Sequence, residues 1–165
     1  LPLLLPKYQV IHQTGDKNFA EVTATARITN EKSEYAHRYH PYAYLNELAL
    51  RMSAGVATLI ISRAGSSIFE FALWGIPSIL VPLPKEVAAE DHQSKNAFAY
   101  ARGGGAIVIE QNNLTPTILA SEIERIIGNN ALYASMHKGA REFAKPEAAR
   151  TIAEGLLGIA LSHED

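Results

Sequence analysis

Short apolar runs alternate along this chain with longer stretches whose apolar residues recur at helical spacing. Residues 8–12 form one such run, closed by Thr14-Gly15, and Asp16 reads as the cap of a helix reaching about Arg27. Residues 35–39 read as a weak, histidine-rich strand closed by Pro41. Leu45, Leu48, Ala49 and Met52 fall on one helical face and predict an amphipathic helix over 45–53. The continuous apolar run 57–62 predicts a central strand. A helix over 68–73, a strand over 78–81 and a helix over 93–102 follow, the last broken by Gly103-Gly104-Gly105 before a strand over 106–109. Thr115 as N-cap with Pro116 in first position opens another helix, and helices over 131–144 and 146–161 complete the chain. Five strands, each followed by a helix, predict an α/β, Rossmann-like, doubly wound parallel sheet.

Composition narrows the function classes. At 165 residues the chain is long enough for one domain and short for two, so residues 1–165 are read as a single domain. A net charge of −2 without a Lys/Arg cluster argues against a nucleic-acid partner. The absence of cysteine excludes disulfides and thiolate metal sites, and fits a cytoplasmic setting. No apolar run approaches the roughly 20 residues that span a bilayer. Leu1-Pro2-Leu3 carries neither an initiator Met nor signal-peptide grammar, so the sequence reads as beginning inside a larger protein.

The densest candidate chemistry lies in Ser62-Arg63-Ala64-Gly65-Ser66-Ser67-Ile68-Phe69-Glu70. A glycine turn after a buried strand brings free N–H groups near Ser66 and Ser67 to a helix start, where they suit an anion. Glu70, about one turn on, offers a carboxylate that can accept hydrogen bonds from a vicinal diol. Donors for a diphosphate beside an acceptor for a ribose are the requirements of a nucleotide-sugar. The same segment also reads as an ordinary βα turn, with Ser66 or Ser67 as N-cap and Glu70 as a solvated first-turn acid. A second polar cluster, Asp91-His92-Gln93-Ser94-Lys95-Asn96, follows the loop Pro82-Leu83-Pro84-Lys85-Glu86. Asp91 there is a candidate N-cap, and His92 and Gln93 fall at a helix start on the carboxyl edge of the sheet, where open α/β sheets bind ligands. A neutral carboxamide that donates and accepts suits a sugar hydroxyl, although a surface helix start without a ligand explains the pattern too.

Other constellations carry less. His37 and His40 face opposite ways on a strand or loop and no nearby acid completes a metal set, so neither a metal nor a cofactor is expected. Gly65-Ser66-Ser67 lacks the flanks of a nucleophile elbow. Phe69, Phe71, Leu73 and Trp74 read as core. Tyr35, Tyr39, Tyr42 and Tyr44 form an aromatic-rich stretch, and His12 ends a strand at the ligand edge.

The ordered set of Tyr8 to Gly15, Tyr44-Leu45-Asn46-Glu47-Leu48-Ala49, Ile61 to Glu70, Gly75-Ile76-Pro77-Ser78 to Pro82, Asp91-His92-Gln93 with Asn96-Ala97, Gly105-Ala106 and Asn113-Leu114-Thr115-Pro116 resembles the MurG family of bacterial N-acetylglucosaminyltransferases. The resemblance runs over nearly the whole chain and implies the C-terminal, donor-binding half of a two-domain GT-B enzyme. It further implies that the family's opening strand, its Gly-Gly-Ser-type loop and its acceptor-binding N-terminal domain are missing from this sequence. Carried over by position, Leu45 matches the residue whose backbone contacts uracil. Gly65, Ser66, Ser67 and Ile68 match the loop and helix start over the diphosphate, Glu70 the acid on the ribose, and His92 and Gln93 the polar pair near the GlcNAc. The interval from Arg63 to Glu70 is one residue shorter than the commonest family form, and the loop over 84–90 is longer than in some members. The stretch from Lys145 to Ala149 is similar to the family's penultimate helix start.

What the resemblance implies is an inverting, metal-independent transfer of GlcNAc from UDP-GlcNAc to lipid I, giving lipid II for peptidoglycan. The whole enzyme would work at the cytoplasmic face of the plasma membrane, bound peripherally through the missing domain, and this chain alone would be inactive. The catalytic base is expected in the missing domain. Alternatives are another GT-B protein using the same donor, such as a dolichol-linked GlcNAc transferase subunit or a UDP-GlcNAc 2-epimerase, or a non-catalytic nucleotide-sugar-binding module.

Overall fold

The computed structural model describes residues 1–84 and 92–162, and its chain divides into two compact units: Leu1–Thr58 with Asn113–Gly128, and Leu59–Asn112 with Asn129–Asp165. Each unit is described by itself.

In the first unit, β1 (Val10–Gln13) leads through Gly15 into α1 (Asp16–Thr29), and β2 (Tyr39–Tyr42) leads into α2 (Glu47–Val56). The strands are parallel, with Gln13 opposite Tyr42. Gly15 itself, at φ 80°, is the N-cap of α1 and Asp16 its first residue, which corrects the expectation that Asp16 caps the helix. Residues 36–38 form a short 3-10 helix, and β2 begins later than expected with Pro41 inside it. β2 pairs with β1 alone, so a residue without an N–H is tolerated on that edge strand. α2 starts two residues later than predicted, because Asn46 caps it by accepting the Ala49 N–H at 2.9 Å. The expected apolar face of α2 is open: Leu48 and Met52 are 68% and 67% exposed, whereas Leu45, just before the helix, is buried. The unit also holds α5 (Pro116–Ile127), capped as expected by Thr115, whose Oγ1 accepts the Ile118 N–H at 3.2 Å. Lys7 ties the N-terminal segment to α5 through Glu124 at 2.6 Å.

The second unit is a three-stranded parallel sheet in the order β3 (Ile60–Ser62), β4 (Ser78–Leu80), β5 (Ala106–Val108). α3 (Ile68–Trp74) and α4 (His92–Arg102) follow the first two strands, and α6 (Asn130–Phe143) and α7 (Ala148–Leu161) close the chain. The central position belongs to β4, buried at every residue, and not to the run expected there. β3 lies at an edge of this sheet, and its Ile61 is 44% exposed. Ala64, Ile68, Phe71, Ala72, Leu80, Ala97, Tyr100, Ala106 and Ala140 make one core cluster. Of the four residues expected in the core around α3, Phe71 is buried and Trp74 packs partly against the cluster, while Phe69 and Leu73 are exposed. α3 spans only seven residues and presents one face to the sheet and α6, so its outer positions fall to solvent.

Glycines set two close approaches here. Gly75, at φ 70°, ends α3 in the left-handed conformation, and its carbonyl accepts a hydrogen bond from His137 Nδ1 of α6 at 2.6 Å. A Cβ on Gly105 would stand 2.3 Å from Tyr100 Cε2 and 2.8 Å from Ala140 Cα, so only glycine lets the chain enter β5 beneath α6.

Candidate functional site

The parallel order puts the carboxyl ends of β3, β4 and β5 on one edge of the second unit. Out of that edge come the turn 63–67, the segment from Val81 to Pro84 and the loop from Ile109 to Asn112. The expected diphosphate turn is therefore at the edge where parallel sheets bind ligands. Its two ends are anchored by fully buried core residues, Ala64 and Ile68. Between them the backbone folds into successive short turns, with Ile68 N–H donating to the Gly65 carbonyl (3.3 Å), Phe69 N–H to Ser66 (3.1 Å) and Glu70 N–H to Ser67 (3.0 Å).

These bonds separate the candidate donors. The Ile68 N–H is spent within the turn and its side chain is in the core, so Ile68 braces the loop from behind. The N–H groups of Ser66 and Ser67 have no partner among the described residues, and Ser67, in the N-cap position, makes no side-chain cap bond. Two backbone donors and two hydroxyls are thus left together. With α3 only seven residues long, these local N–H groups, not a helix macrodipole, are what an anion would meet. Gly65 has an ordinary φ and open space where a Cβ would be, so neither backbone strain nor internal packing requires a glycine there. The expected tight glycine turn is instead a helical-type turn running into α3. Glu70 is exposed in the first turn of α3, and its carboxylate has no partner among the described residues.

Two residues outside the expected site set hold this turn. Arg63 Nη1 donates to the carbonyls of Val81 and Pro82, at 3.1 and 3.3 Å, joining the end of β3 to the end of β4. Asn96 Nδ2 donates to the Ala64 carbonyl at 3.2 Å, joining α4 to the start of the turn. Both stand in the stretches that carry the resemblance, yet spacing alone shows neither contact.

α4 is described from His92, so His92 and Gln93 lie in its first described turn, whereas Asp91, the candidate cap, lies outside the described residues. Gln93 Oε1 accepts the Leu83 N–H at 3.1 Å, which leaves its Nε2 as the group available to donate. His92 is exposed. A cavity of about 180 Å³ opens nearby between Pro82–Pro84, Ser94 and Phe98 of α4, and Glu110–Asn112.

Leu45 belongs to the first unit. Its N–H donates to Gln13 Oε1 at 2.8 Å, so the end of β1 is fastened to the segment that follows β2. His12 is inside β1 and not at its end; its Nδ1 lies 2.7 Å from the Tyr39 hydroxyl, and burial lowers its pKa. Among the described residues no cluster of His, Asp or Glu is arranged to hold a metal, and no helix is long and apolar enough to cross a membrane.

Residues 2–152 match the family described as Glycosyltransferase family 28 C-terminal domain. A curated relative from Symbiobacterium thermophilum is 34% identical over 167 residues, covering 97% of this chain and 40% of that protein. Another, from Gloeobacter violaceus, is 39% identical over 146 residues, covering 88% of this chain and 38% of its own length. Both bear the name UDP-N-acetylglucosamine--N-acetylmuramyl-(pentapeptide) pyrophosphoryl-undecaprenol N-acetylglucosamine transferase. The crystal structure of Acinetobacter baumannii MurG matches with a TM-score of 0.70 at 27% identity, over 88% of this chain and 40% of that one. The structure of the glycotransferase of kitacinnamycin shares the fold, with a TM-score of 0.63 at 17% identity over 93% of this chain and 37% of its own. The chain thus spans about 40% of the length of the curated relatives it matches. On the match over 2–152, this chain belongs to the glycosyltransferase family 28 C-terminal domain family.

Proposed function

We propose that this chain is the donor-binding half of an inverting GlcNAc transferase that uses UDP-GlcNAc and acts on lipid I; the names of its relatives give UDP-N-acetylglucosamine and an N-acetylmuramyl-(pentapeptide) pyrophosphoryl-undecaprenol for those proteins. The observation that carries this is the turn at Ser66 and Ser67, whose N–H groups and hydroxyls, like the nearby Glu70 carboxylate, have no partner among the described residues. Ser66 and Ser67 take the diphosphate, Glu70 accepts hydrogen bonds from the ribose hydroxyls, and Gln93 Nε2, with His92 beside it, reads the GlcNAc. Gly65 leaves room for the diphosphate to approach the backbone, and Ile68 fixes the turn. Leu45 is assigned to the uracil.

In this scheme a hydroxyl of the acceptor attacks the anomeric carbon as the bond to the diphosphate breaks, and UDP leaves. The donors of the turn stabilise the charge that develops on the leaving group. The acceptor site, the catalytic base and peripheral attachment to the cytoplasmic face of the membrane are assigned to a second domain of the whole enzyme.

Paired substitutions test the assignments. Glu70→Ala should weaken UDP and UDP-GlcNAc equally, by about 1.5–3 kcal/mol for a lost charged hydrogen bond. Gln93→Glu keeps an acceptor for the Leu83 N–H but removes the donor, so it should weaken UDP-GlcNAc and leave UDP nearly unchanged. Equal losses for both ligands in the Gln93 variant would remove that residue from the sugar.

A further inference from the structure

α3 carries Glu70 but is too short to hold a direction of its own. It spans seven residues, below the roughly 12–15 at which an isolated helix is even marginal in water, so its neighbours set its axis. Ile68, Phe71 and Ala72 fix its inner face in the core, whereas Phe69, Glu70 and Leu73 are exposed. α6, itself anchored by buried Met136, Gly139 and Ala140, clasps α3 at two points. Near the start of α3, the Phe69 ring stacks on Phe143, with centroids 5.9 Å apart and planes at 11°. At its end, His137 Nδ1 stands 2.6 Å from the Gly75 carbonyl oxygen, across 62 residues of sequence. A carbonyl oxygen only accepts, so Nδ1 carries the proton. A Cβ on Gly75 would lie 2.8 Å from His137 Cε1 and 2.7 Å from Arg141 Nε, so both α6 side chains close over the last turn of α3.

Glu70 stands between two held ends. The turn before α3 is fixed through Arg63 to Val81 and Pro82, and through Asn96 to Ala64. At about 1.5 Å per residue, Glu70 is roughly 4.5 Å along the axis from Ser67 and roughly 7.5 Å from Gly75. Releasing Gly75 lets α3 swing about its anchored start. That swing displaces the Glu70 carboxylate more than the N–H groups of Ser66 and Ser67, and hydrogen bonds weaken steeply with misalignment.

We propose that His137 is a positioning residue for the ribose: by holding Gly75 it aims the Glu70 carboxylate at the two vicinal hydroxyls. This rests on the assignment of Glu70 to the ribose above.

The test is to titrate the whole protein with UDP and with 2′,3′-dideoxy-UDP, which lacks both hydroxyls, for wild type, His137→Leu and His137→Asn. Leucine keeps the bulk and loses the donor, and asparagine restores an N–H near the Nδ1 position. The readout is the preference for UDP, a ratio taken on one preparation and so unaffected by any unfolded fraction. Wild type should prefer UDP by about tenfold or more, and His137→Leu should lose about three- to tenfold of that preference. His137→Asn should stay within about twofold of wild type. If His137 only supports the fold, His137→Leu weakens both ligands equally or neither, its preference stays at the wild-type value, and the proposal is overturned. A preference in His137→Asn no closer to wild type than in His137→Leu overturns it too, because the hydrogen bond is then not the cause. Equal binding of the two ligands by wild type instead removes Glu70 from the ribose, and absence of saturable binding of either removes the donor site itself.

Discussion

Replacing Arg63 with methionine removes the two hydrogen bonds by which its Nη1 meets the Val81 and Pro82 carbonyls. A fully shielded bond from a charged donor contributes about 1.5–3 kcal/mol to stability. Here the bonds are only part-buried and one nitrogen serves both carbonyls at 3.1 and 3.3 Å, so about 1 kcal/mol is expected. The loss should also loosen the turn that begins at Ala64 and weaken UDP about two- to fivefold, the effect of roughly 0.5–1 kcal/mol of added disorder. Lysine keeps the charge but not the planar fork, so Arg63→Lys should fall close to Arg63→Met in both measurements. Urea denaturation at neutral pH reads the stability, and calorimetric titration at low and high salt reads the affinity. If Lys restored UDP binding, and Met abolished it without loss of stability and with a steep salt dependence, Arg63 would be a counter-charge to the diphosphate. That outcome refutes its role as a brace.

Three further substitutions probe the frame behind the site. Tyr100 is fully buried, and burial pushes its phenol up to about 12, offset only in part by the Ser78 hydroxyl; its Oη makes no well-formed hydrogen bond among the described residues. The folded state thus holds the neutral phenol while the unfolded chain ionises near its ordinary value of 10.0, so stability falls as pH rises from about 10 to about 12. Tyr100→Phe should flatten that alkaline fall, worth about 1–3 kcal/mol, in denaturation measured across pH, and should cost little or nothing at neutral pH. Gly105→Ala forces a Cβ against Tyr100 and the Ala140 backbone and should cost about 1–3 kcal/mol or more in the same assay. Asn96→Ala breaks the bond to the Ala64 carbonyl and should weaken UDP about two- to tenfold in calorimetric titration, with no change in preference between UDP and UDP-GlcNAc.

What the sequence shows and what it hides follow from the range of the interactions. Thr115-Pro116 opens α5 as read, because capping and a fixed φ are local. The glycines at 103–105 end α4 for a similarly local reason, although the need for Gly105 in particular comes from Ala140, far along the chain. The run that contains β3 was legible as a strand but not as an edge, since apolar continuity reports burial and not the number of neighbours. Pro41 reads as a stop signal in the sequence, yet β2 continues through it as an edge strand, where a residue without an N–H is tolerated. At the site, Gly65 to Glu70 stood out because the turn is contiguous. Gln13, Arg63 and Asn96 act across separations of 32, 18 and 32 residues, and spacing carries no trace of such contacts.

The central claim is that this chain holds the nucleotide-sugar donor through the turn at Ser66 and Ser67. Calorimetric titration with UDP-GlcNAc in the presence of a metal chelator tests it most directly. Saturable one-to-one binding that Glu70→Ala weakens about tenfold or more, and that competing UDP displaces, is the predicted result. A protein that is folded by circular dichroism yet shows no saturable heat with either UDP-GlcNAc or UDP would contradict the account.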